Sequence, residues 1–344
     1  MEVRCSVFGV QFQERFPVLP LPRAHRTVEC MGTPLEFLYH FRGLLQERGI
    51  RFAITSGMAC VYYGLQQTTK DSDWIIEPAD LPKLHALLMD HKRRVPPWRI
   101  SYRQIFGAPM NTEYLAQGWT SHLSIWPSAG GEEEHVDIFG AAPRVQPGTV
   151  QPDSMGFASP DLVAWMKRTD RDKDWPIVDG LGHLLQRTAN PDAVMHLQSV
   201  PRLRAVWSTF DAGARAHAVL HRPLLSLLEA TPNDEVMHGL IALERTVWET
   251  VNQERYRLFQ HEWKEFYRRW KKEEFWEWPT AESFAQQHER VLSAARRYEL
   301  PIQILDEAGK EAAWHRGIAR TVVRSGRLEA LVLAVTPPRK RMLP

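Results

Sequence analysis

The stretch TSGMACVYYGLQQTTKDSDWII, residues 55 to 76, narrows what this chain can fold into more than any other part of it. The preceding IRFAITSG reads as a buried strand broken by a tight turn at Ser56-Gly57. MACVYYGL suits a short helix closed by Gly64, and SDWIIEP is a second strand stopped by Pro78. Asp71 and Asp73 stand on the lip of that second strand. Like charges so close repel and are costly to desolvate, so the pattern calls for a cation between them. Because strand side chains alternate, the two carboxylates share a face while Ser72 turns away.

Elements of the same kind flank this stretch. A helix is predicted upstream, capped by Thr33 with Glu36 three residues on, and its stripe Leu35, Leu38, Phe41, Leu44, Leu45 has helical spacing. Downstream, ADLPKLHALLMDHK is amphipathic, with Leu81, Leu84, Leu87 and Leu88 inward and Pro82 tolerated in the first turn. Three strand-like runs follow: RISYRQIF, SHLSIWP and EHVDIFG. The sequence therefore predicts an α+β fold, a mixed sheet with packed helices. This core spans 34–150 and ends near the turn-rich QPGTVQPD. Before it, 1–33 reads as irregular, with FPVLPLPRAH too proline-rich for a helix. After it, 151–335 is predicted to be mostly helical, starting with SPDLVAWMKRTDR capped by Ser159 and including a long run from Asp234 to Trp278. The tail 336–344 is basic, and its prolines and clustered cations predict fraying.

Composition excludes several classes. At 344 residues the chain has room for about two domains. A hydrophobic fraction of 44% with 24% charged residues is the balance of a globular protein. The formal net charge of +2 gives no global field for nucleic acid or membrane. The N-terminus carries Glu2 and lacks the long apolar run of a secretory signal, and no stretch approaches a membrane span. Cys5, Cys30 and Cys60 are far apart and form no C-x-x-C pair, so neither a disulfide framework nor a zinc site is expected. A reducing, cytoplasmic setting is the expectation.

Chemistry centres on oxygen ligands. Asp71 and Asp73 can grip one divalent ion together, and magnesium suits hard carboxylate oxygens while leaving positions for phosphate. A third carboxylate, Asp137, lies amid Val136, Ile138 and Phe139, where an unpaired charge would be expensive.

Taken together, the turn, helix, D-x-D and third aspartate resemble the nucleotidyltransferase fold of the DNA polymerase beta superfamily. The likeness is greatest to its bacterial branch that includes the AbiEii-type toxins of toxin–antitoxin systems. It covers residues 50 to 140 and continues into DLVAWMKRTDRDKDW, which is similar to the lysine-bearing helix and R-x-K-D segment of that branch. The resemblance implies two magnesium ions held by Asp71, Asp73 and Asp137, with a nucleoside triphosphate as substrate. It implies that Ser56 and Gly57 cradle phosphates, that Thr69, which precedes the acid pair, is a further nucleotide-binding residue, and that Lys167 with Arg171 or Lys173 neutralises charge on the triphosphate or an acceptor. The implied acceptor is a hydroxyl on tRNA, a protein or a small molecule, with an antitoxin as a further implied partner. Two departures stand out: Ser56 replaces a usual glycine, implying a strained turn, and Gln67 replaces a frequent basic residue.

Plainer readings compete at each position. The chain could keep the fold and bind a nucleotide or partner without turnover. Asp137 could be a structural acid paired with Arg103 on a neighbouring strand. The cations of KRTDRDKDW alternate with acids, as on a solvated helix face. His135 is expected to face away from Asp137. Trp263, Phe266, Tyr267 and Trp270 have the spacing of a core-facing helix stripe, whereas RRWKK at 268–272 and RKR at 339–341 could form a phosphate-binding patch.

Overall fold

The computed structural model describes residues 34–90, 98–126, 132–145, 150–274 and 282–343. The predicted irregular segment 1–33, with Thr33, Cys5 and Cys30, lies outside the described residues, as do the side chains of Leu35 and Glu36. The fold is α+β: a five-stranded mixed sheet and a mostly helical C-terminal region. The strands are β1 (Phe52–Thr55), β2 (Asp71–Ile76), β3 (Arg99–Tyr102), β4 (Thr120–Trp126) and β5 (Glu134–Phe139). They lie in the order β1-β2-β5-β4-β3. β2 and β5 run parallel, and every other neighbouring pair is antiparallel.

One face of the sheet carries Ile54, Trp74, Ile138, Val136, Leu123 and Tyr102, all buried. The helices α1 (Pro34–Glu47) and α3 (Leu81–Met89) pack into this core through Phe37, Leu38, Phe41 and Leu45, and through Leu81, Leu84, Leu87 and Leu88, as their periodicity predicts. The Phe41 and Trp74 rings meet edge-on at 4.8 Å. Between β1 and β2 lies α2 (Ser56–Tyr62), followed by Gly64 at φ 70.

The segment after residue 150 stays attached to the sheet. Ile54 N donates to Gly156 O at 2.8 Å, and Ala158 N donates to Ile54 O at 2.8 Å, so the chain returns along the free edge of β1. Residues 146–149 of the predicted boundary lie outside the described residues. The helical region is not set wholly apart, because Phe259, Phe266 and Trp270 of the 41-residue helix Asp234–Glu274 join the core that holds the sheet. Trp263 and Tyr267 pack against that core half-buried, so the aromatic stripe is a packing face. A second core is built from the helical region and includes Trp165, Trp175, Trp248, Met342 and Leu343.

The C-terminal expectation needs correction. Residues Arg339–Met342 form a helical turn, Met342 and Leu343 are buried, and the Arg341 guanidinium stacks 3.9 Å over Trp165. Met342 and Leu343, which follow the three cations directly, provide the anchor that the charge run hid. Among the described residues, no helix is long and apolar enough to cross a membrane.

Candidate active site

The polar face of the sheet carries one transverse row of side chains. Thr55 of β1 pairs with Asp73 of β2, Asp73 with Asp137 of β5, and Asp137 with His122 of β4. Register partners present side chains on the same face, so Asp73 and Asp137 are neighbours. Arg103, just past β3, donates its backbone N–H to His122 O at 3.0 Å and extends the row. A second row sets Asp71 beside His135. Ser72 faces the apolar side, where it accepts the Trp74 indole N–H.

Partners divide the three carboxylates into two kinds. Asp137 Oδ1 lies 2.7 Å from His122 Nδ1 and 3.6 Å from Arg103 Nη1. Asp71 Oδ1 lies 3.0 Å from His135 Nδ1 and 4.0 Å from the same Arg103 nitrogen. The Asp73 carboxylate has no hydrogen bond or ion pair among the described residues. Burial first, then the charge of Asp137, pushes its carboxyl well above the usual carboxylate range, against the opposing pull of Lys167. An acid left unpartnered beside another acid is the local imbalance that a dication would relieve.

His135 is a correction to the sequence reading. It shares a face with Asp137 because the two are two residues apart, and period two puts such residues on one side. Its imidazole therefore holds Asp71. The Arg103–Asp137 contact of the plainer reading is present, but the guanidinium touches Asp71 as well.

The predicted turn lies at the end of the row. Ser56 has φ 50, the left-handed region that favours glycine. Gly57 is buried under Thr69, whose hydroxyl a Cβ there would overlap, with the Thr69 Cβ only 2.9 Å away. Thr69 Oγ1 in turn donates to Asp71 O at 3.2 Å, tying the turn to the acid pair. Gln67 is exposed. Burial pushes the Cys60 thiol up to about 11, which keeps this neighbour protonated.

The cations arrive from the helix Pro160–Met166, which ends one residue before Lys167. Lys167 is buried at 6% exposure, with Nζ 3.3 Å from Asp174 Oδ1, so the solvated-face reading does not apply to it. Asp174 also accepts from Arg171 Nε at 2.8 Å and from the Thr169 hydroxyl at 2.5 Å. Burial alone would raise Asp174, but Lys167, Thr169 and Arg171 hold it below the usual carboxylate range. Arg171 keeps much of its side chain in solvent, and Lys173 is exposed. The structure thus gathers Asp71, Asp73, Asp137 and Lys167 at one mouth and leaves Lys173 on the surface.

Sequence reading missed His122. The alternation of His122 and Ser124 against Leu123 and Ile125 marks a polar face, but the adjacency of β4 and β5 in this register is not written in either strand.

The donor set fits magnesium in kind, being carboxylate oxygens on adjacent strands. Among the described residues no group of three or more His, Cys, Asp or Glu side chains stands ready as a metal cage. Asp71 and Asp137 are turned to His135, His122 and Arg103, so binding requires them to release those partners. The basic patches are partly engaged: Arg268 pairs with Glu265, Arg269 with Glu299, and Arg339 with Glu307. Neither a scan of protein-family models nor a search of curated proteins finds a match to this chain.

Proposed function

We propose that this chain is a magnesium-dependent nucleotidyltransferase that moves a nucleoside monophosphate from a nucleoside triphosphate to a hydroxyl acceptor. The observation that carries the reading is the in-register pairing of Asp73 with Asp137 on parallel strands, with the Asp73 carboxylate unpartnered. The turn at Ser56-Gly57 on the antiparallel neighbour, and the buried Lys167, agree with the resemblance in kind and order.

Each side chain has a task in this reading. Asp71, Asp73 and Asp137 hold the magnesium, which when bound supplies Lewis-acid charge to the triphosphate and the attacking hydroxyl. The backbone amides of the Ser56-Gly57 turn receive phosphate oxygens. Lys167 and Arg171 offset phosphate charge from behind Asp73, and Thr69 keeps the turn and the acid pair in register. The acceptor belongs to one of three classes: a tRNA end, a protein side chain or a small molecule. An AbiEii-like toxin with a cognate antitoxin is the most specific form of the reading. Such an enzyme works where nucleoside triphosphates are made, in the cytoplasm.

The test is incubation with labelled nucleoside triphosphates and magnesium across a panel of acceptors that includes bulk tRNA. Pyrophosphate release that disappears in Asp71→Ala and Asp73→Ala supports the reading; release that survives both overturns it. A second reading, nucleotide or partner binding without turnover, is favoured by Ser56 at φ 50 and by the histidines that hold Asp71 and Asp137. Triphosphate binding with no release on any acceptor selects it.

A further inference from the structure

The Arg103 side chain is aimed across the sheet. It leaves the chain beside β4, yet its guanidinium reaches Asp137 on β5 and Asp71 on β2. Strands lie about 4.8 Å apart, so Asp137 is roughly 10 Å away along the sheet and Asp71 farther still. A long side chain must be extended to cover that span. The side chain is 22% exposed, so most of it lies against protein.

The contact is electrostatic and not locked. At 3.6 and 4.0 Å from the carboxylate oxygens, Nη1 is outside hydrogen-bond distance of both, and among the described residues the guanidinium makes no hydrogen bond. Arginine carries five N–H donors and normally grips carboxylates in pairs of short bonds. The Arg222–Glu244 pair of this same chain does so, with Nη2 at 2.7 Å and Nε at 3.0 Å. One guanidinium placed loosely between two carboxylates lowers their mutual repulsion without fixing either.

We propose that Arg103 is the resident counter-ion of the Asp71–Asp73–Asp137 cluster and competes with the divalent cation for it. Arg103 then sets the concentration at which the metal binds. The inference rests on the reading above, that these carboxylates take a divalent cation. A dication entering between Asp71 and Asp137 meets the guanidinium charge in the same space and displaces it. Removing that charge while keeping an unbranched stem, as in Arg103→Met, leaves the cluster unbalanced and more attractive to the metal.

The experiment follows manganese binding to the full-length chain by the electron paramagnetic resonance signal of the free ion, together with thermal melting at rising magnesium. Arg103→Met is expected to bind manganese about tenfold more tightly than the wild type and to melt lower without metal, with magnesium closing the gap. Arg103→Lys, which keeps the charge, is expected to stay near wild type; Arg103→Gln serves as the neutral variant if the methionine form does not fold. Wild-type binding with equal or weaker affinity in the neutral variants overturns the counter-ion role and leaves the metal reading standing. Absence of binding in every form, neutral variants included, overturns both.

Discussion

In the helical region the Arg222 guanidinium and the Glu244 carboxylate are both sealed from solvent, joined by three hydrogen bonds, and backed by the carbonyls of Val194 and Leu197. On the sheet, Asp73 lies beside Asp137 with no bond of its own, and the guanidinium nearby touches the other two acids loosely. Both regions bury charge. In the first, the Arg222–Glu244 pair is joined and backed by hydrogen bonds, as a buried structural ion pair must be. The second leaves Asp73 without a partner among the described residues and the other two acids loosely balanced, an arrangement that a bound cation would complete.

The largest effect expected from breaking this contrast is in the helical region. Arg222→Met leaves Glu244 buried and uncompensated, and should cost about 3–5 kcal/mol in urea unfolding. The double variant Arg222→Met with Glu244→Leu should recover much of that. A single variant that unfolds like the wild type would show the pair to be inessential and erase the contrast.

A second test of the same region uses pH. His196 is fully buried; its Nε2 is 2.7 Å from Asp161 and its Nδ1 is 3.2 Å from Arg168. Nδ1 must accept from Arg168, so Nε2 carries the proton and the ring is neutral. Burial pushes its pKa down to about 4, with Asp161 opposing. The unfolded chain, with histidine near 6.5, then binds more protons than the folded chain between about pH 6.5 and 4. Stability should fall as pH drops through that window, by roughly 3 kcal/mol. Melting temperatures from pH 7 to 4.5 check this, and His196→Gln should flatten the slope.

The two regions also differ in how well the sequence announces them. On the sheet, Asp137 is a polar residue in an apolar run and Asp71 and Asp73 stand at the lip of another, a mismatch visible without coordinates. The turn, the short helix and the leucine stripe of α3 follow local spacing rules and were legible for the same reason. His122 was not legible as a member of the row, because membership depends on strand order across the sheet; Arg103 was read as a partner of Asp137, but its reach to Asp71 depends on that order too. In the helical region almost nothing local identifies Arg222, Glu244 or His196 as buried; each becomes so only when helices far apart in sequence meet. The anchored tail escaped for that reason too, since Arg341 needs Trp165 to stack on.

Smaller, and opposite in sign to the arginine change, is Asp73→Asn. The fold holds this carboxyl protonated at a cost that a neutral amide does not carry, so the variant should stabilise the metal-free protein near pH 7 by about 0.5–2 kcal/mol. Unfolding in chelator checks the first half, and loss of pyrophosphate release checks the second. A destabilised variant would mean that Asp73 has a structural partner after all, and that both regions follow one rule.

The smallest effect concerns Ser56. A non-glycine residue at φ 50 costs about 1–2 kcal/mol, and the Ser56 hydroxyl makes no compensating hydrogen bond among the described residues. Glycine relieves the strain but loses roughly 0.5–1 kcal/mol of chain entropy on folding. Ser56→Gly should therefore gain between about 0 and 1.5 kcal/mol, visible as a small rise in melting temperature. The backbone amide remains in place, so binding of a fluorescent triphosphate analogue should be equal or tighter. That pairing of results separates strain kept for ligand binding from strain that merely accommodates the short helix, because weaker binding in a more stable variant would assign the serine hydroxyl itself to the phosphate.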